Sequence, residues 1–157
     1  TRDVVTFETS YYNVKRTMNT LLKQKIVPII NENDAIADDE LNHQTKFGDN
    51  DTLSAIVAGV SEADLLIIMS DVNGLYDSNP KENPDATLIE HVAEITDEIE
   101  LMASGKGSAF ATGGMATKLK AAKKILNQNQ AMIITSGEDP VSIFRILEGD
   151  VIGTLFK

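Results

Sequence analysis

The chain has 157 residues, room for one domain with a real core. It is 42% hydrophobic and 24% charged, ordinary for a globular protein and wrong for a disordered one. A net charge of −10 disfavours a nucleic-acid or anionic-membrane surface, yet allows an anionic small ligand in a local positive pocket.

The chain opens Thr1-Arg2-Asp3, without Met, and runs at once into helical periodicity, which reads as an internal start. Val14, Met18, Leu21 and Leu22 predict a helix over about 10–24. Ile26-Val27-Pro28-Ile29-Ile30 predicts a short buried strand, with Pro28 as an objection. A polar stretch over 31–50 follows, with room for a hairpin over 40–47. Leu53, Ile56, Val57 and Val60 give a second helix capped by Asp49, Asn50 or Asp51. The run 64–70 is the clearest strand, continuously apolar as when both faces are covered. Asp71-Val72-Asn73-Gly74 is a turn and 78–85, with two prolines, a loop. A short strand within 87–95 and a third helix over 96–104 come next.

The stretch Thr112-Gly113-Gly114-Met115-Ala116-Thr117-Lys118 then leads into a helix whose apolar stripe is Met115, Leu119, Ala122, Ile125 and Leu126. Two glycines at a helix N-terminus let backbone N–H groups approach an anion, and Lys118 adds a full charge about one turn in. The reading is a phosphate site; the same residues also fit a tight turn followed by a solvated lysine. A strand over 131–135, a Gly137 turn, a helix over 141–147 starting at Pro140, and a last strand over 151–156 complete the chain.

Helices alternating with apolar strands predict an α/β protein, a three-layer αβα sandwich with a mainly parallel sheet and no interdomain linker. In such sheets ligands gather at the carboxyl ends of the strands. Polar clusters lie just beyond three strand ends: 31–34, Ser70-Asp71 and Ser136-Gly137. The segments Asn31-Glu32-Asn33-Asp34 and Gly48-Asp49-Asn50-Asp51 concentrate four carboxylates and three amides, a set suited to a zwitterion. Asp49 and Asp51 equally suit a hard cation, and capping loops use the same residues. Cysteine is absent, which removes disulfides and thiolate chemistry, and His43 and His91 lie far apart and read as ordinary surface residues. No apolar run reaches the ~18 residues of a membrane span and no secretory signal opens the chain, so a cytoplasmic protein is expected.

Taken together, 30–34, Phe47-Gly48-Asp49-Asn50-Asp51 with Leu53-Ser54-Ala55, Ser70–Asp77, Asn83-Pro84, Thr112–Leu119 and Gly153-Thr154-Leu155-Phe156 resemble the glutamate 5-kinase family of the amino-acid kinase superfamily, in that family's order and spacing from end to end. The resemblance implies ATP-dependent phosphorylation of the γ-carboxylate of L-glutamate, the step that opens proline synthesis. It implies glutamate on Asp34 and Asn50, with Asn31 and Asp49 nearby. It implies nucleotide on Ser70 and Asp71 and on Thr112, Gly113, Gly114, Met115, Ala116, Thr117 and Lys118. Lys118 would lie on the transferring phosphoryl group and Asp51 would orient the catalytic lysines. Mg²⁺ would be held mainly by ATP phosphates, with no dedicated protein metal site. Proline as feedback inhibitor and a homo-oligomer also follow from the resemblance.

Against the family pattern the chain corresponds to the C-terminal portion of a single kinase domain. It lacks an opening strand, a Lys and a Gly-Ser phosphate turn, so little kinase activity is expected of it alone. Phe110-Ala111 stands where the family often has a Gly before Thr-Gly-Gly. The alternative reading is a non-catalytic nucleotide- or amino-acid-binding fragment of the same fold.

Overall fold

The computed structural model describes residues 8–31, 50–104 and 113–157. The chain divides into two compact units, Thr1–Ala63 and Asp64–Lys157.

In the first unit, helix α1 (Glu8–Lys23) packs against helix α2 (Asn50–Val60). Met18 is buried on the predicted stripe of α1, and Ala55, Ile56, Ala58 and Val60 are buried on α2. Helix α1 closes through Lys25, whose φ of 59° turns the chain so that Ile26 N–H donates to Leu21 O at 3.0 Å. An ion pair between Lys15 Nζ and Glu62 Oε1, at 2.6 Å, joins the two helical segments.

The strand predicted over 26–30 is not formed. These residues have no regular secondary structure, and Val27 and Ile29 are 84% and 99% exposed. A strand exists only by sharing backbone hydrogen bonds with a neighbour, and the described residues of this unit include no other strand. The hairpin expected over 40–47 lies outside the described residues.

The second unit holds strands β1 (Leu65–Ser70), β2 (His91–Val92), β3 (Ala131–Ser136) and β4 (Thr154–Phe156), with helices α3 (Asp97–Ser104), α4 (Gly113–Leu126) and α5 (Ser142–Glu148). The sheet order is β1-β3-β4-β2. Strands β1 and β3 are parallel from Leu65↔Ala131 to Ser70↔Ser136, and β2 and β4 are parallel. Strand β4 runs antiparallel to β3, with Ile134 opposite Thr154. The fold is α/β as predicted, with a mixed, mostly parallel sheet.

Between β3 and β4 the chain passes through α5, about 10 Å long, and re-enters the sheet at the end at which it left β3, since β4 is antiparallel to β3. The last strand is also shorter than the predicted 151–156, because Gly153 has a φ of 104°, outside the extended region.

The core of this unit lies between β3 and α4. Met132, Ile133 and Ile134 are buried on the strand, Leu119, Ala121, Ala122 and Ile125 on the helix, and Phe156 and Val92 extend the apolar layer across the sheet. Helix α3 packs along α4 and is tied to it by the Glu100–Lys123 ion pair. A four-residue connection, with Asn129 at φ 55°, turns α4 directly into β3. Helix α4 therefore runs back along the strand. Its length, about 21 Å, matches that of β3, which sets the α4 N-terminus at the carboxyl end of the sheet.

Candidate functional site

Parallel pairing brings the ends of β1 and β3 together, with Ser70 and Ser136 in register. The chain leaves β3 hard against β1: Gly137 N–H donates to Ser70 O at 2.7 Å. A Cβ at residue 137 would make ordinary contact, 3.4 Å from Ser70 O and 3.6 Å from Met69 Cβ, so the chain lies close against β1 here. Ser70 Oγ donates to Asp71 Oδ1 at 3.0 Å, which aligns a hydroxyl and a carboxylate at the mouth. Ser136 Oγ accepts from Glu138 N–H at 3.2 Å.

The loop beyond Asp71 is pinned at its neck. Asp77 Oδ1 accepts from Thr87 N–H and from Ser78 Oγ, both at 3.0 Å, and Asp77 N–H donates back to Thr87 O at 3.1 Å. The Thr87 hydrogen bond, with that of Ser78 second, holds the Asp77 carboxyl below its ordinary value.

Helix α4 begins at Gly113, as the paired glycines suggested. Among the described residues, a Cβ on Gly114 would meet nothing within 4 Å, so the space beside this first turn is open. Thr117 Oγ1 donates back to Gly114 O at 2.8 Å, which turns its hydroxyl onto the helix. Met115, Ala116 and Lys118 are half-buried on the same two turns. Lys118 lies on the second turn of this helix, about one turn in from Gly113.

Of the residues singled out in the sequence, Ser70 and Asp71 are brought into contact, and Gly113–Lys118 line the first two turns of one helix. Asn31 is exposed, directly after the irregular 26–30 run. Asn50 is the exposed first residue of α2, its carbonyl accepting from Ser54 Oγ at 2.7 Å, and Asp51 follows it, half-buried. These three lie in the first unit, the Ser70 and Gly113 groups in the second. Asp34, Asp49 and Thr112 lie outside the described residues.

Two features were not assigned roles from sequence: the close approach of Gly137 to β1 and the fastening of the 71–75 turn to β4. The first was signalled by its place beyond a strand end. The second was signalled only by the glycines at 74 and 153. Among the described residues, no group of three or more His, Cys, Asp or Glu is gathered to hold a metal, and no helix is long and apolar enough to cross a membrane.

Residues 4–136 match the amino acid kinase family. The chain belongs to that family. A glutamate 5-kinase of Listeria monocytogenes is 55% identical over 99% of this chain, and one of Lactiplantibacillus plantarum is 52% identical over the same share. The chain spans 56% and 59% of those two relatives, little more than half their length. Among solved structures, the UMP kinase of Ureaplasma parvum superposes with a TM-score of 0.60 over 91% of this chain and 52% of its own, at 20% identity, which is a likeness of fold. An amino acid kinase fold thus accounts for the mixed sheet.

Proposed function

We propose that the chain forms the C-terminal portion of a single kinase domain that transfers the γ-phosphoryl group of ATP to the γ-carboxylate of L-glutamate. The observation that carries this reading is the meeting of Ser70-Asp71 and Gly137 beyond the paired ends of β1 and β3, the end of those strands toward which the α4 N-terminus runs. Polyphosphate suits that end. Backbone N–H groups at the α4 terminus and the Lys118 ammonium supply positive charge, while the Ser70 hydroxyl, its proton given to Asp71, keeps lone pairs that accept from a sugar hydroxyl. The 55% identity to a glutamate 5-kinase supports glutamate as the acceptor, held by Asn50, Asp34, Asn31 and Asp49.

The chemistry asks little covalent help of the protein. A γ-carboxylate oxygen attacks the γ-phosphorus, the bond to the β,γ-bridging oxygen breaks, and ADP leaves with that electron pair. A glutamate side chain with a pKa near 4.3 is already ionised at neutral pH, so no general base is needed. What remains is alignment and compensation of charge on the phosphoryl oxygens. Lys118 compensates charge, and Asp51 organises the cations and is not a base. Asp71 is the described residue that would stand beside a nucleotide-held Mg²⁺, whose contribution would be neutralisation of part of the phosphate charge. The sparse carboxylates of the second-unit mouth, with Asp71 foremost, fit a cation held mainly by the nucleotide. Inhibition by proline and self-association belong to the same reading.

A chimera tests it: this chain joined to the part of the Listeria monocytogenes relative outside the matched stretch. With ATP, Mg²⁺, glutamate and hydroxylamine as trap, γ-glutamyl hydroxamate is expected, and none with aspartate or UMP in place of glutamate. Lys118→Met in that chimera should lower turnover by about 10²–10³. ATP consumption driven by UMP and indifferent to glutamate would overturn the assignment.

A further inference from the structure

We infer that Thr154 is a positioning residue for nucleotide binding: its hydroxyl fixes the turn that follows Ser70-Asp71, although it lies on another strand and reaches no ligand itself. The inference rests on reading the Ser70-Asp71 end of β1 as the nucleotide site.

Thr154 is fully buried on β4, opposite Ile134 of β3. Its Oγ1 accepts from Leu75 N–H at 2.8 Å, a buried hydrogen bond between residues 79 apart in sequence. Leu75 is itself 2% exposed, so its N–H has no recourse to water. The approach that makes this bond possible depends on two glycines. Gly74 has a φ of 152°, and a Cβ there would lie 2.6 Å from Thr154 Oγ1 and 3.0 Å from Thr154 N. Gly153 has a φ of 104°, and a Cβ there would lie 2.0 Å from Ile134 O and 2.9 Å from Asn73 O.

The 71–75 turn is therefore clamped against the start of β4, where Gly153 lies between Asn73 O and Ile134 O of β3. Behind the clamp the loop is closed again by the Asp77–Thr87 pair, and the Tyr76↔Leu88 bridge lies beside it. Ahead of it, four residues back from Leu75, stands Asp71, whose carboxylate is held by Ser70 Oγ. Ser70 is fixed on the other side by Gly137 N–H. Between those anchors the backbone has little freedom, and the direction of the Asp71 carboxylate follows from where Leu75 is tied. A buried acceptor with a single turn as its partner is a device for holding that turn, since a valine of the same shape would serve packing alone.

The experiment is an equilibrium titration of the 157-residue chain with a fluorescent ATP analogue, displaced by ATP. Thr154→Val, which keeps the shape and removes the acceptor, should weaken nucleotide binding about tenfold. Thr154→Ser, which keeps the hydroxyl, should restore it to within about twofold. Ile146→Ala, a core truncation on α5, controls for general loosening and should lower the melting temperature without moving the affinity. Amide exchange at Leu75 should accelerate in Thr154→Val while exchange in α3 stays native, which shows that the variant is folded. Equal affinity for native and Thr154→Val overturns the positioning role alone. A loss of affinity in Ile146→Ala as large as that in Thr154→Val overturns it as well. A native chain that binds no nucleotide overturns the nucleotide reading and this role with it.

Discussion

Asp77 accepts two hydrogen bonds at the neck of the 77–87 loop, and those bonds are strongest while its carboxyl is ionised. Because its folded pKa is lowered, its contribution is fully present above the ordinary carboxylate value and is lost as pH falls through the folded one. The Thr87 amide resonance should therefore titrate with a midpoint below the ordinary carboxylate value, and Asp77→Asn should abolish that titration. A midpoint at or above the ordinary value would contradict the assignment. Two glycines make a sharper pair. Gly153→Ala drives a Cβ into Ile134 O and forces a left-handed φ on alanine, so a loss of about 3 kcal/mol or more is expected in urea unfolding. Gly114→Ala meets open space on a helix and should stabilise by up to about 1 kcal/mol. If phosphate uses that first turn, the same change weakens ATP binding. Composition could reveal that these glycines exist. It could not tell which one is crowded, because crowding comes from β3 and β4, distant in sequence.

Helix α4 was legible because its stripe has one face to bury, and Leu119, Ala122 and Ile125 are buried as spaced. Strand β1 was legible for the same reason: a continuous apolar run beside a parallel partner. The 26–30 run has the same composition and was misjudged as a formed strand, since composition states what a segment can pair with and not whether a partner is there. Val27→Lys and Ile29→Lys should each change the unfolding free energy by less than about 0.5 kcal/mol, whereas Phe156→Ala, fully buried on β4, should cost about 3–5 kcal/mol. Chemical denaturation of the three variants checks this, and a large loss from Ile29→Lys would mean that the run is buried. The direction of β4 was not legible either. It depends on which strand β4 pairs with and from which end, which no local pattern contains.

Across the whole molecule, an acidic chain of net charge −10 is proposed to receive its anionic nucleotide at the carboxyl ends of β1 and β3. The motifs announced that place because strand ends and glycine-opened helices leave local traces. The acceptor group is less legible as a site: Asn31, Asn50 and Asp51 stand in the first unit, while Ser70 and Lys118 stand in the second. The most direct measurement is an amide-resolved NMR titration of the 157-residue chain with ATP. The account predicts shifts at Ser70, Asp71 and Gly113–Lys118, with the amides of α5 unmoved. Shifts centred on α5, or saturating ATP that leaves Ser70, Asp71 and the α4 terminus untouched, would contradict it.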